Sequence, residues 1–267
     1  MSADATPTQR FSSRVEDYIK YRPGYPAIVL DVLAKEAGLT SASVVADVGS
    51  GTGIFSEMLL KRGNPVLAVE PNDEMRAAAE RRLKGYPSFS SLAGRAEDTG
   101  LAASSVDFVV TAQAFHWFKQ DDCRREFARI LRDEGWVVLI WNTLKTDATP
   151  FLRAYEGLLQ RCSLDYRQVH HKNVSLEAIG RFFGGLFYSR SFENRQILDF
   201  EGLKGRVKSC SFVPLEGHSA YEPMMQSLQE IFAQFQVGGK VCLEYETELQ
   251  FGHLIRESSR QDGGPSA

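Results

Sequence analysis

One ten-residue stretch constrains the chain more than any other: Val44-Val45-Ala46-Asp47-Val48-Gly49-Ser50-Gly51-Thr52-Gly53. A short apolar run ends in a carboxylate, glycines follow at every second position, and an apolar helical pattern begins at Ile54. Such a strand leads into a loop almost without side chains, which lets a ligand lie against bare backbone N–H groups at a helix N-terminus. Seventeen residues past Gly53, the next apolar run (66–69) ends in Glu70. A strand-end acid at that distance is placed to accept hydrogen bonds from a ribose diol.

The pattern points to an adenosine-type cofactor and discriminates among them. A dinucleotide loop reads G-x-G-x-x-G or A, and counting from Gly51 puts Ser56 in the third slot. Asp47 is the sharper discriminator, because a carboxylate at the mouth of the loop repels a pyrophosphate and attracts an ammonium or a positive sulfur. S-adenosylmethionine has both and no phosphate. A ligand-free glycine turn competes for the glycine run taken alone, and Asp47 and Glu70 at this spacing reduce that alternative to a minor one.

The rest of the chain narrows the class. Its 267 residues suit one α/β domain with a small appendage, and a formal net charge of -3 gives no electrostatic reason to expect nucleic acid. Cys123, Cys162, Cys210 and Cys242 lie far apart, with no Cys-x-x-Cys pair or His/Cys cluster. They read as reduced thiols of a cytoplasmic protein without a metal site. The N-terminus has no signal-peptide pattern, and the apolar run 136–141 is too short to span a bilayer. The expectation is a soluble monomer that binds neither membrane nor nucleic acid.

Strands are expected at 44–48, 66–70, 88–92, 106–112 and 136–141, alternating with helices after 54, over 73–84 with Asn72 as N-cap, and after Asp121 as cap. Strand–helix alternation with near-continuous apolar strands means a parallel sheet covered on both faces. Further on, 151–162, 175–183 and 221–237 read as helices and 191–198 and 240–249 as strands, the last with the clean alternation of an antiparallel or edge strand. The fold class is α/β: a Rossmann-like, doubly wound, seven-stranded sheet, mostly parallel with an antiparallel edge strand, plus a small helical cap. The expected divisions are an N-terminal helical lid (1–40), a cofactor-binding core (41–145), a helical insert forming the substrate cap (146–190), strands and helices completing the sheet (191–255) and a disordered tail (256–267).

With these residues in place, the chain resembles the class I S-adenosylmethionine-dependent methyltransferases of the methyltransferase type 11 group. Residues 47–53 look like that family's first motif, Glu70-Pro71-Asn72-Asp73-Glu74-Met75 its second, Gly94-Arg95-Ala96-Glu97 its third and 112–118 its fourth. Tyr21-Arg22-Pro23-Gly24-Tyr25-Pro26 paired with Phe115-His116-Trp117-Phe118 is similar to a small-molecule branch that includes trans-aconitate methyltransferase-like proteins. The resemblance implies that Gly49, Ser50, Gly51, Thr52 and Gly53 cradle the methionine part, with Asp47 near its amino group. It implies Glu70 on the ribose, Asn72 and Met75 flanking the adenosine, and Ala96 and Glu97 at the adenine edge. Many relatives carry Asp where this chain has Arg95, which leaves Glu97 as the acidic side chain there. Gln113, at the end of the fourth strand, joins the cofactor set, as do Tyr21 and Arg22 from a segment able to fold over the cofactor.

Methyl transfer from a sulfonium is an in-line displacement whose main demands are alignment and exclusion of water. A base is needed only if the acceptor must lose a proton, and His116 is the candidate. Tyr18, His116 and Trp117 are the expected substrate contacts, and packing of the loop is the competing account of His116 and Trp117. Arg153, Arg181 and Arg190 could meet an acidic acceptor, while His170-His171 reads as solvated loop. The expected activity is transfer of a methyl group from S-adenosylmethionine, leaving S-adenosylhomocysteine, to a small molecule at a carboxylate or other oxygen. The alternatives are a non-catalytic binder or scaffold, or methylation of protein or RNA.

Overall fold

The computed structural model describes residues 14–163 and 174–255; His170-His171 and the tail lie outside the described residues. Seven strands, β1 (Val45–Val48), β2 (Val66–Val69), β3 (Phe89–Leu92), β4 (Val106–Ala112), β5 (Leu131–Leu144), β6 (Tyr188–Leu198) and β7 (Val241–Gly252), form one sheet in the order β3-β2-β1-β4-β5-β7-β6. The first five run parallel, and β7 runs antiparallel to both β5 and β6, so β6 closes the edge. The strand order reverses between β1 and β4. The loops leaving those two strands therefore diverge and open a crevice at the sheet's carboxyl edge, where ligands of such sheets sit.

Helices cover both faces. Alternation along β1 sends Ala46 and Val48 to one face and Val45 and Asp47 to the other. The first face packs against α5 (Gln120–Ile130) and α7 (Leu176–Phe183) through Phe127, Ile130, Phe182 and Phe183. The second packs against α2 (Ile28–Glu36) and α3 (Ile54–Arg62) through Val29, Leu33, Phe55 and Leu59. A third core joins α6 (Pro150–Cys162), α8 (Phe200–Lys208) and α9 (Tyr221–Phe235) to Val241, Leu243 and Tyr245 of β7.

The third core does not coincide with the 146–190 stretch. Among the described residues of that stretch, α6 belongs to the third core, while α7 buries Ile179, Phe182 and Phe183 in the main core. The rest of that core comes from α8 and α9, further along the chain, so that α6, α8 and α9 together form a helical cap on β7. Helix α8 escaped the sequence reading because Gly202 and Gly205 dilute its pattern, and glycine in a helix interior costs about 1 kcal/mol relative to alanine. The structure supplies its capping, with Asp199 Oδ1 accepting from Gly202 N at 2.8 Å, and the reason for one glycine. A Cβ on Gly205 would lie 2.1 Å from Cε2 of Tyr21.

Two local expectations also change. Helix α5 begins at Gln120, not after Asp121, and its N-cap Lys119 makes no side-chain cap bond. The Lys119 N–H instead donates to Glu97 Oε1 at 3.0 Å. Strand β5 extends to Leu131 and Leu144, well past 136–141, because the charged residues Arg132, Asp133 and Glu134 mask its start.

Candidate functional site

The crevice is built first from β1 and the loop after it. Asp47, next to last in β1, is wholly buried; its Oδ2 accepts from Ser56 Oγ at 2.6 Å, while Oδ1 has no partner among the described residues. Burial pushes this carboxyl up to about 7, and the nearby negative charge of Glu70 adds to the shift against the opposing bonds from Ser56. Ser50 Oγ and Thr52 Oγ1 are likewise buried without partners. Three unsatisfied polar oxygens within six residues mark a place built to receive a polar ligand, because leaving such groups unpaired costs roughly 1–3 kcal/mol each.

Gly49, Gly51 and Gly53 all adopt positive φ, at 72°, 55° and 76°. Their surroundings separate their roles. A Cβ on Gly49 would lie 2.6 Å from Ala114 Cβ, and one on Gly53 2.7 Å from Leu83 Cδ1, so both allow the protein's own elements to close up. Gly51 meets only Met75 Sδ at 3.4 Å and is the glycine left to face a ligand.

Glu70 follows β2 and spans the loop, with Oε2 accepting from Gly51 N at 2.9 Å and Oε1 from Asn72 N at 2.9 Å. Burial raises its pKa against the lowering effect of those two N–H groups. Asn72 is the side-chain cap of α4 (Asp73–Leu83), accepting from Met75 N at 2.8 Å. Met75 packs with Val15 and Ala78, which brings α1 (Val15–Tyr21) over this corner. Ala96 is buried in the main core, and Glu97 is held between Lys119 N and Arg95.

Beside the glycine loop lies a cavity of about 140 Å³. The sheet's edge contributes Ile54, Gln113, His116 and Trp117; the N-terminal segment contributes Tyr18, Arg22 and Tyr25; the cap and β7 contribute Tyr155, Leu159, Arg206, Cys210 and Tyr245. Gln113 holds a positive φ of 57°, fixed by its N–H on Ile140 O at 2.8 Å and its Nε2 on Asn142 O at 3.0 Å. A non-glycine residue in that region costs about 1 kcal/mol or more, and such strain concentrates at functional sites. His116 and Trp117 sit on the 3-10 turn Phe115–Trp117, their rings 4.9 Å apart. The turn after α1 is pinned across the sheet by Asn142 Nδ2 and Asn194 Nδ2 on Gly24 O, at 3.1 and 2.9 Å, and by Gln196 Nε2 on Tyr21 O at 2.8 Å.

The structure thus brings Tyr18, Arg22, Gln113, His116 and Trp117 to one cavity and sets the glycine loop, Glu70, Asn72 and Met75 beside it. Tyr21 does not join them: its ring lies over Gly205 and seats the N-terminal segment on α8. The arginines singled out from the sequence are engaged elsewhere, Arg153 with Asp147 O, Arg181 with Glu177 and Arg190 with Glu36. The sequence reading missed Arg206. It is 9% exposed, with Nε on Tyr245 Oη at 3.2 Å and Nη1 on Cys210 Sγ at 2.9 Å. Its only sequence signal was a basic residue on the apolar side of a glycine-diluted helix.

Residues 46–139 match the family model described as a methyltransferase domain. An uncharacterised methyltransferase-like protein of Schizosaccharomyces pombe is 28% identical over 253 residues, 92% of this chain and 95% of the relative. An uncharacterised methyltransferase of Mycobacterium tuberculosis is 40% identical over 133 residues, about half of each chain (50% and 52%). A solved structure of a candidate type II methyltransferase from Anaeromyxobacter dehalogenans superposes with a TM-score of 0.63 at 23% identity, covering 89% of this chain and all (100%) of that one.

Proposed function

We propose, for a chain that belongs to the class I S-adenosylmethionine-dependent methyltransferases, that the acceptor is a small molecule held in the cavity between the glycine loop and the cap. The observation that carries this reading is the adjacency of two features. The unsatisfied oxygens of Asp47, Ser50 and Thr52 fit a cationic, polar cofactor, and next to them lies a cavity roofed by the N-terminal segment and the cap, sized for a small molecule. S-adenosylmethionine, when bound, supplies a methyl group already activated by its positive sulfur. Asp47 would hold its ammonium group, Glu70 its ribose hydroxyls, and Ala96 and Glu97 the adenine edge.

The chain's own work is alignment and exclusion of water. Ile54 and Gln113 wall the cavity at the glycine-loop side, and Tyr18, Arg22 and Tyr25 close it over the top. His116 lines the same cavity and is placed to take a proton from an acceptor that has one to lose. With such an acceptor, His116→Ala is expected to lower kcat by about 10²-fold or more, the usual range for a lost general base, with little change in KM for S-adenosylmethionine. Steady-state kinetics check this, and a rate within a few-fold of wild type removes the base role.

Calorimetric titration with S-adenosylmethionine, S-adenosylhomocysteine and NAD tests the cofactor assignment. Micromolar binding of the two sulfur compounds and none of NAD is expected; silence from both sulfur compounds would defeat it. In the same titration Glu70→Ala is expected to weaken binding by about 1–3 kcal/mol, the range for a lost charged hydrogen-bond partner. The variant also frees the N–H groups of Gly51 and Asn72, so a lower Tm is expected alongside. The four cysteines are all free thiols, which supports assignment to the cytoplasm; among the described residues no helix is long and apolar enough to cross a membrane.

A further inference from the structure

Two guanidinium groups line the cavity, that of buried Arg206 and that of half-buried Arg22, and among the described residues no carboxylate lines it. Arg206 projects from α8 and spends two of its nitrogens on neutral-type partners, the Tyr245 hydroxyl and the Cys210 sulfur. Arg22 donates Nη2 to Ser209 O at 2.9 Å, lies 4.8 Å over the Tyr18 ring, and keeps a buried Nε with no partner. Neither forms an ion pair with a carboxylate among the described residues. Both are anchored on the same short segment, 206–210, so their charges converge on one corner of the cavity. Arginine stays protonated in proteins, and a buried charge is ordinarily paired. Burial raises the pKa of the Cys210 thiol, but Arg206, Arg22 and Arg14 together outweigh that and bring it below the usual thiol value.

We propose that the methyl acceptor carries a carboxylate, and that Arg206 and Arg22 hold that group at the cap side of the cavity. This rests on the methyltransferase reading of the cavity and deepens it by naming the substrate class. A guanidinium fork matches the two oxygens of a carboxylate, and the Tyr155 and Tyr245 side chains line the same region. A carboxylate gripped this way has its electron density drawn toward the fork and is a poor nucleophile. The atom that receives the methyl group is therefore a separate group of the acceptor, presented to the wall formed by Ile54, Gln113 and His116. Arg22 and Arg206 are specificity residues: they choose the acceptor and fix which end of it faces the cofactor.

The full chain saturated with S-adenosylhomocysteine is titrated with acetate, succinate, glutarate, benzoate and inorganic phosphate, and with the amide of each acid. At least one acid is expected to bind while its amide does not, and Arg206→Gln is expected to weaken that acid at least tenfold with S-adenosylhomocysteine affinity held within twofold. Arg206→Lys, which keeps the charge and loses the fork, is expected to fall between. Arg22→Gln gives an independent loss, and together with Arg206→Lys it decides the question if Arg206→Gln does not fold. Equal binding of acids and amides, acid binding unchanged in these variants, no binding by any acid, or phosphate binding in place of every acid would each overturn the proposal. Failure of the wild-type chain to bind S-adenosylhomocysteine strikes the underlying methyltransferase reading instead.

Discussion

Asp47→Asn is expected to weaken S-adenosylmethionine binding by about 100-fold and, in the free protein at pH 8, to raise thermal stability. Asn has the size of Asp and can still accept from Ser56, so the change removes charge with little change of shape. Loss of one partner of a buried ion pair costs about 2–5 kcal/mol, and about 3 kcal/mol corresponds to roughly 100-fold in Kd. The gain in stability follows from the same burial. With its carboxyl at about 7 in the folded chain and 3.8 as the ordinary value, Asp47 binds a proton more readily folded than unfolded between those limits. Its contribution to stability is therefore favourable in acid and declines as pH rises from about 4 to 7.

Cofactor affinity runs the opposite way, because the ionised carboxylate is the form that pairs with an ammonium group. Binding is expected to tighten by up to tenfold per pH unit as pH approaches about 7 from below, and to level off above it. Calorimetry from pH 5.5 to 8.5, with thermal melts of the free protein over the same range, measures both slopes. An affinity that does not change with pH, or an Asn variant that binds like wild type, would move the cofactor's amino group away from Asp47.

Gly49→Ala is expected to be the most destabilising single-atom change in the glycine loop, by about 2–5 kcal/mol. Two penalties combine: a left-handed backbone costs a non-glycine residue about 1–2 kcal/mol, and forcing an extra carbon into a packed site costs about 1–3 kcal/mol. Here the carbon would sit 2.6 Å from Ala114 Cβ and 3.2 Å from Phe118 Cζ, wedging the loop after β1 away from the loop after β4. Gly51→Ala carries only the backbone penalty, since Met75 Sδ at 3.4 Å is an ordinary contact. It is expected to affect cofactor binding more than folding. Urea titrations of the two variants should rank Gly49→Ala as less stable by at least about 1 kcal/mol; the reverse order would mean that the two loops are not packed as described.

What could be read from the residues alone was whatever neighbours along the chain determine. The alternation of apolar runs with helical stripes pointed to the parallel sheet, and Asn72 declared itself as a cap because capping acts within three residues. The glycine loop, Asp47 and Glu70 stood out because a strand end, a bare turn and a helix start must be consecutive. Tertiary structure decided everything that depends on residues distant in sequence. Glu97 holds the start of α5 across 22 residues, and Gly49 and Gly53 make room for other elements of the protein as much as for a ligand. Tyr21, next to Arg22 in sequence, turns onto Gly205 while Arg22 turns into the cavity. Arg206 becomes part of the site only because the third core folds α8 against β7 and over the sheet's edge. Local order follows from backbone hydrogen bonding and periodic burial, both short-range in sequence; the lining of a cavity follows from the close packing of elements from all parts of the chain, and no local pattern encodes it.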